Sequence, residues 1–558
     1  MNLGIRNARI HTCDENQPWA DTAVVRDGQF VFVGLEADWD NAESINFHDL
    51  SGAVVLPGLI DSHTHPASVA SSSWHVTLPR TDNADELLTF IREYGENHPP
   101  TEVPFIYFEY YYLNTTFTDS SPTKDLLDGA ISDRPVLCQE STDHSCWINS
   151  KMFEALGVTK DTPDPEPGLV MFQRDTNGEP TGLIFEGAWR HFAETMWNTL
   201  AWRPPETVGV ENLRPVLQFL KERGVTALFD AVLADEDSLR SVADMDARGE
   251  LGLYYQGAPR FNSLEDLPKV LSTVRRYQDR YGNARIRIQA VKLFLDGTNE
   301  IGNSAVLDPL ASDSHDHGAI RMDVDELTNC LLLCNTAQVD MHIHMVGDRA
   351  FRTGCDAVQA AQARASAEGN QWRIQVTFAH CELVDPADMG RPAELGIFIN
   401  WTTHWSGGYF GEEARHYLGD ERWNRMYAFN EIADSGAVVT FSSDVVTQYE
   451  LHRANPFFGM QVARTRIDPE IPLDPQRYPG SVRPSASSAL PLERLVKGYT
   501  IDGARQLRID DRVGSIEKGK TANFIVLNED LFATDDTRIG KIKPTAVVFE
   551  GDLVSGSF

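Results

Sequence analysis

Cysteine is sparse, lysine is scarcer relative to arginine, and no long apolar run occurs in this 558-residue chain. The seven cysteines, an odd number, fall at positions 13, 138, 146, 330, 334, 355 and 381, with no CxxC pair. A disulfide framework is therefore not expected, and a reduced, cytoplasmic protein fits best. Cys330 and Cys334 are four apart, which on a helix puts both on one core face. The opening MNLGIRNARIHTCDE shows no apolar signal segment. Apolar runs elsewhere are too short to span a bilayer, so no membrane partner is expected. The sequons at Asn114 and Asn400 then carry no meaning.

Positive charge is also short. There are 49 basic residues against 82 acidic ones, a net charge of −33. That argues against nucleic acid or an anionic membrane as partner. Only 11 of the basic residues are Lys, against 38 Arg. Scarce Lys with abundant Asp and Glu hints at a salt-adapted host. Composition is otherwise ordinary, at 42% hydrophobic and 23% charged. The chain is long enough to bury a large core, so any metal would serve function rather than folding. Nothing fixes the oligomeric state, and a homo-oligomer is compatible.

Both ends read as β. TAVVRDGQFVFVG has two β-rich runs around Asp27-Gly28, a hairpin signal. GSIEKGKTANFIVLN and TAVVFEGDLVSG near the C-terminus have the same texture. Residues 1–53 and 506–558 are therefore expected to form one small β-sandwich domain, with 54–505 inserted between them. The middle alternates. Eight short apolar runs recur: Val54–Ile60, Val225–Asp230, Leu251–Tyr255, Ile288–Leu295, Val339–His344, Ile374–Ala379, Ile397–Trp401 and Val438–Phe441. Helix patterns lie between several of them, such as Val324–Ala337 and Ala350–Ala367. Eight such units predict an α/β fold with a (β/α)8 TIM-type barrel. The span from about 70 to 205 fits no repeat and reads as an insertion, a lid or pocket wall.

Functional groups of such a barrel sit at the C-terminal ends of its strands. The first run ends in Asp61-Ser62-His63-Thr64-His65, and side chains two apart on a strand share a face. Lys292 lies among apolar neighbours in the fourth run. Either its stem packs while its head reaches solvent, or it is desolvated with a lowered pKa. A neutral amine could add CO2 to give a carbamate, an anion able to bridge two metals. The fifth run ends with His342 and His344, the sixth with His380, and the eighth with Asp444. Each alone reads as a satisfied core histidine or a helix cap. Together, at the ends of runs 1, 4, 5, 6 and 8, they point to one convergent site.

The chain resembles the amidohydrolase superfamily, and more closely the amidohydrolase-3 branch that includes N-substituted formamide deformylases. The stretches that carry this are LPGLIDSHTHP, DHSCWINS, PTGLIFE, GVTALFD, VKLFLDGT, HIHMVGDRA, FAHCELV, FSSDVV and GSIEKGKTANFIVL, spread over nearly the whole chain. The resemblance implies a (β/α)8 barrel plus a β-sandwich from both termini. It implies His63 and His65 on one metal, carboxylated Lys292 (N6-carboxylysine) as a bridge, and His344 and His380 on a second. Asp444 would contact a metal and shuttle a proton, with His342 behind the ligands. Two departures stand out: Ser442-Ser443-Asp444 where the branch often has Gly-Ser-Asp, and Ala379 where Glu often precedes His380.

The implied reaction is hydrolysis of a C–N amide-type bond in a small molecule. A hydroxide held by two divalent ions, most simply zinc, attacks the carbonyl, and Asp444 moves the proton to the leaving amine. A mononuclear deaminase and an ester or lactone hydrolase are alternatives on the same barrel, and Lys292 separates the first, which needs no bridge. A non-catalytic interaction protein is disfavoured because all six ligands are present. For substrate binding, His144, Trp147 and Asn149 of DHSCWINS and His404 and Trp405, with Trp401, of NWTTHWSGGYF are the candidates. Their aromatic groups favour an apolar or aromatic substrate. If the acidic surface reflects salt adaptation, the melting temperature rises between low and high KCl, because screening relieves self-repulsion. A melting temperature that stays flat across that series removes the salt-adaptation reading.

Overall fold

The computed structural model describes residues 2–39, 45–117, 121–205, 208–476, 480, 482–483 and 486–558. Pro57 and Gly58 split the first apolar run in two. Val54–Pro57 joins a six-stranded sheet, between Arg9–His11 from the N-terminal end and Phe524–Leu527 from the C-terminal end. Leu59–Thr64 instead begins a set of parallel strands, and we label it β1. The others are β2 (Val225–Asp230), β3 (Tyr254–Gly257), β4 (Ala290–Phe294), β5 (Asp340–Met345), β6 (Val376–His380), β7 (Phe398–Thr402) and β8 (Val438–Ser442). A Cβ on Gly58 would lie 2.2 Å from Thr226 Oγ1 on β2, so only glycine lets the chain cross there without moving that strand.

The eight expected runs are all strands, in order, in a mixed α/β fold. They lie in two parallel sheets, β1 to β3 with the short strand Ile286–Arg287, and β4 to β8. Among the described residues no continuous ladder closes these sheets into a barrel, which is where the fold differs from expectation. At one seam only an isolated bridge joins Arg260 to Lys292. The reason is local: Ile288 N–H donates to the Gln278 side chain at 2.7 Å instead of continuing the ladder. At the other seam Ser443 N–H donates to Asp61 Oδ1 at 3.0 Å, and one bond follows, Asp444 N–H to His63 C=O at 2.9 Å.

Helices pack outside the strands, among them Val210–Glu222, Glu236–Ala247, Leu267–Tyr281, Val324–Ala337 and Asp348–Ala367. Asp235 and Asp323 cap two of them by accepting from Ser238 N and Glu326 N at 2.8 and 2.9 Å. Their apolar faces form one core with the strands, and Cys330 and Cys334 are both buried in it. The N-terminal hairpin is present, Thr22–Arg26 against Gln29–Gly34, turning through Asp27 and Gly28 at φ 49° and 78°. Residues 76–185 contain a separate six-stranded sheet. Buried Glu413, beyond β7, ties that sheet's far end down by accepting from Asn114 N at 2.6 Å and from the Thr115 hydroxyl. Among the described residues, no helix is long and apolar enough to cross a membrane.

Two predictions arise from this packing. Gly58→Ala should lower stability by about 1–3 kcal/mol through overpacking against Thr226. Gly129→Ala, in the helix Lys124–Ala130 with nothing within 4 Å of its Cβ, should be neutral or stabilising by up to ~1 kcal/mol. Denaturant melts of both variants check this, and equal effects would contradict it. Second, buried carboxyls make the fold more stable in mild acid. Asp296, after β4, accepts from Ala305, Val346 and Gly347 N–H at 3.0, 3.0 and 2.9 Å. Burial pushes both Asp296 and Glu413 up to about 7. A carboxyl whose folded pKa exceeds its unfolded value stabilises at low pH, and that contribution is lost as pH rises through about 7. The stabilisation these two carboxyls contribute, read by melting temperature, should therefore fall from pH 5 to pH 8. Glu413→Gln, which cannot ionise, should flatten the slope by at most roughly 3 kcal/mol over that range. A slope unchanged by the substitution would remove Glu413 as its source.

Candidate metal centre

His63 and His65 leave β1 on one face and both reach Asp444, which follows β8. Asp444 Oδ1 lies 3.4 Å from His63 Nε2 and 2.9 Å from His65 Nε2. Its Oδ2 lies 3.4 Å from His380 Nδ1, at the end of β6. His63, His380 and Asp444 present ligand atoms all within 4.8 Å of one another, and all three are buried. Lys292 enters from β4, with Nζ 3.3 Å from His63 Nε2. His342 stands behind this group, its Nε2 3.0 Å from His63 Nδ1. His344 is a neighbour rather than a member. Its ring centroid is 4.5 Å from that of His380, and its Nε2 faces Gly297 C=O at 3.1 Å. That bond places the ring proton on Nε2 and leaves Nδ1 with its lone pair.

The strand ends are bent to aim these groups. His380, Cys381 and Asp444 have φ of 76°, 43° and 49°, in the left-handed region that non-glycine residues avoid. Such conformations cost about 1–3 kcal/mol each and persist where surrounding bonds enforce them. The enforcing group for Asp444 is Asp61. Its carboxylate accepts from Ser443 N–H at 3.0 Å and Ser443 Oγ–H at 2.6 Å. The two departures from the family pattern are also accommodated. Ser442 Oγ–H donates to Asn400 Oδ1 at 2.9 Å, and Ala379 is buried opposite His344 in the ladder.

Burial, reinforced by Lys292 and neighbouring imidazoles, holds His63, His342, His344 and His380 well below the ordinary histidine range. These rings are neutral and offer lone pairs. Burial also pushes Lys292 down to about 7, opposed by Asp444 and helped by Arg260. His380 Nδ1 is buried with no hydrogen-bond partner. A neutral imidazole nitrogen left unpaired beside a carboxylate fits a divalent cation, and the nitrogen and oxygen donor set suits zinc.

A cavity of about 170 Å³ opens onto this group. His144 lines it, as the sequence suggested, with Nδ1 3.0 Å from both Glu186 oxygens. Burial alone would lower the His144 pKa, but Glu186 and Asp143 outweigh it and raise it to about 9. Trp405 lines the cavity too, stacked on His380 at 5.4 Å. The other candidates do not. Trp147 points into the core of the 76–185 sheet against Phe117 and Tyr111, and its Nε1–H donates to Thr123 C=O at 2.8 Å. Asn149 caps the helix Ser150–Leu156, its Oδ1 accepting from Met152 N. His404 borders a separate recess beside Asp61 and Arg453, and Trp401 packs in the core on Phe429. The cavity wall combines charged and polar groups with about as much apolar surface, including Phe294 and Trp405. Sequence reasoning missed Glu186, Arg190, Arg260 and Glu382. Arg260, just past the end of β3, and Glu382, just past the end of β6, obey the strand-end rule that could have found them.

The sequence profile of the amidohydrolase family matches residues 46–555. The chain is 26% identical over 448 residues to the exoenzymes regulatory protein AepA of Pectobacterium carotovorum subsp. carotovorum, covering 78% of this chain and 92% of that one. It is 25% identical over 543 residues to an N-substituted formamide deformylase of Arthrobacter pascens, covering 95% and 94%. Among solved structures, an uncharacterized metal-dependent hydrolase from Pyrococcus horikoshii OT3 shares the fold, with a TM-score of 0.67 at 20% identity, covering 96% of this chain and 99% of that one. With a match that spans most of its length and the histidines and aspartate gathered at the strand ends, this chain belongs to the amidohydrolase family.

Proposed function

We propose that the chain is a metal-dependent hydrolase of C–N amide-type bonds in small molecules, acting in the cytoplasm. The observation that supports it is the meeting of His63, His380 and Asp444 with Lys292 only 3.3 Å from His63. In this reading the two parallel sheets are an interrupted (β/α)8 barrel. Residues 1–57 and 506–558 make the β-sandwich, a boundary moved from 53 because Val54–Pro57 pairs with Phe524–Leu527. His63, His65, Lys292, His344, His380 and Asp444 would hold two divalent ions, zinc by the donor set. Bound there, the ions would polarise a substrate carbonyl and lower the pKa of a water.

Lys292 contributes through its own chemistry. Near pH 7 a large fraction of its amine is neutral, because burial pushes it to about 7. That neutral nitrogen attacks CO2, forms an N–C bond and releases a proton, turning an ill-placed cation into a carboxylate. Asp444 holds the shuttled proton on Oδ1 or Oδ2 and returns it to the leaving amine nitrogen. Trp405, over His380, restricts water on that side of the cavity.

One observation favours a second reading with a single ion. His344 lies outside the compact group and already bonds Gly297. Metal analysis decides between them, with two ions per chain for the first and one for the second. Chelation should abolish hydrolysis of N-formyl and N-acyl amides. Lys292→Ala should cost roughly 10³-fold, several kcal/mol of transition-state stabilisation. A short carboxylate such as acetate or propionate should restore part of that loss by standing in for the carbamate. Full activity in Lys292→Ala, or in chelated protein, would end this proposal.

A further inference from the structure

Arg260 lines the cavity as an arginine without an ion-pair partner among the described residues. It follows Pro259 at the end of β3, and its backbone is fixed beside the metal centre. Lys292 N–H donates to Pro259 C=O and Phe261 N–H to Lys292 C=O, both at 3.0 Å. The guanidinium lies over the Phe294 ring, 4.5 Å from its centroid, and Nε–H donates to Asn262 Oδ1 at 2.8 Å. Those contacts orient the plane and use one edge. The two terminal nitrogens have no hydrogen-bond or ion-pair partner among the described residues, and the side chain is exposed to the cavity.

The nearby carboxylates are already committed. Glu186 bonds His144 at 3.0 Å and accepts from Asn303 Nδ2 at 2.9 Å. Glu166 pairs with Arg321, whose positive charge adds to that of Arg260. Across the cavity Glu300 and Glu450 are buried, and burial pushes both carboxyls up, which weakens their offset of the guanidinium. Arg190, also exposed on the cavity wall, makes no ion pair among the described residues, although Asp143 lies near it. Arg190 and Arg260 thus place two guanidiniums without ion-pair partners among the described residues on the wall beside the candidate centre.

We propose that Arg260 anchors a carboxylate of the substrate, so that the preferred substrates are N-acylated or N-formylated amino acids rather than neutral amides. The inference rests on the amide-hydrolase reading and narrows its substrate class. A guanidinium edge matches the two oxygens of a carboxylate, and its fixed plane gives the pairing direction as well as charge. Arg260 and Lys292 are joined by backbone bonds, so the carboxylate would be held at a set distance from the scissile bond.

The test compares N-formylphenylalanine with N-formyl-2-phenylethylamine, which differ only by the carboxylate. The protein as isolated should prefer the acid by about tenfold or more in kcat/KM, chiefly through KM. Arg260→Met should collapse that ratio towards one, and Arg260→Lys, which keeps the charge but not the fork, should restore part of it. Calorimetric binding of 3-phenylpropionate against 3-phenylpropanamide reads the same preference without turnover. A preference for acid in binding that Arg260→Met removes, with no hydrolysis of either formyl compound, would keep the carboxylate anchor and sink the hydrolase reading. Hydrolysis of both compounds with no preference, or with one that Arg260→Met leaves in place, would overturn the anchor and keep the hydrolase.

Discussion

The carboxylate of Asp61 is the contact on which the rest of the centre depends. It sits two residues before His63 and holds both the N–H and the hydroxyl of Ser443, the residue before Asp444. One buried side chain thereby fixes the last strand against the first, where the ladder itself has lapsed. Asp444 N–H can then reach His63 C=O, and its carboxylate meets three imidazoles. Left without Ser443, Asp61 would be a buried carboxyl with one weak bond, at 3.4 Å, to His63 N–H. The strained φ at Asp444 is affordable because these bonds over-determine it.

This contact also explains what could and could not be read from the chain. The apolar runs were legible because buried parallel strands carry near-continuous hydrophobic sequence. The candidate ligands were legible because a strand end is a definite address: His63, His65, His344, His380 and Asp444 lie at or next to one, while Lys292, in the middle of β4, stood out by its apolar neighbours. Closure of the sheets was not legible. It turns on which side chains steal a backbone N–H, as Gln278 and Asp61 do, and no periodicity records that. Trp147 and Asn149 were misplaced for a related reason. His144 precedes the strand Ser145–Ile148, and within that strand alternation turns Trp147 away from the cavity that His144 enters. The Pro57-Gly58 boundary was hidden because one apolar run serves two sheets in succession.

Lysine use shows the same logic at the level of charge. Among the described residues only Lys221 and Lys292 are buried lysines. Lys221 packs its stem and spends its ammonium on Glu250 C=O at 3.0 Å, the ordinary arrangement for such a residue. Lys292 has a histidine nitrogen in hydrogen-bond reach and no carboxylate in ion-pair contact. Two lysines of similar burial are thus separated by what their nitrogens meet. Of the snorkelling and the desolvated arrangement that the sequence offered for Lys292, Lys221 adopts the first and Lys292 the second.

The cavity extends that contrast. Among the carboxylates around it, Glu186 is paired with His144, burial pushes Glu300, Glu382 and Glu450 towards the neutral form, and Asp143 lies near Arg190. The guanidiniums of Arg190 and Arg260 cannot be neutralised in the same way, since arginine keeps its proton under all ordinary conditions. Desolvation therefore acts unequally on the two signs of charge, silencing acids while leaving arginines charged. A chain with a strongly acidic surface can in this way still present charged guanidiniums on the wall beside its candidate metal ligands. Net charge thus describes the surface that meets solvent, and it carries no information about the sign of the group that a cavity of this kind receives.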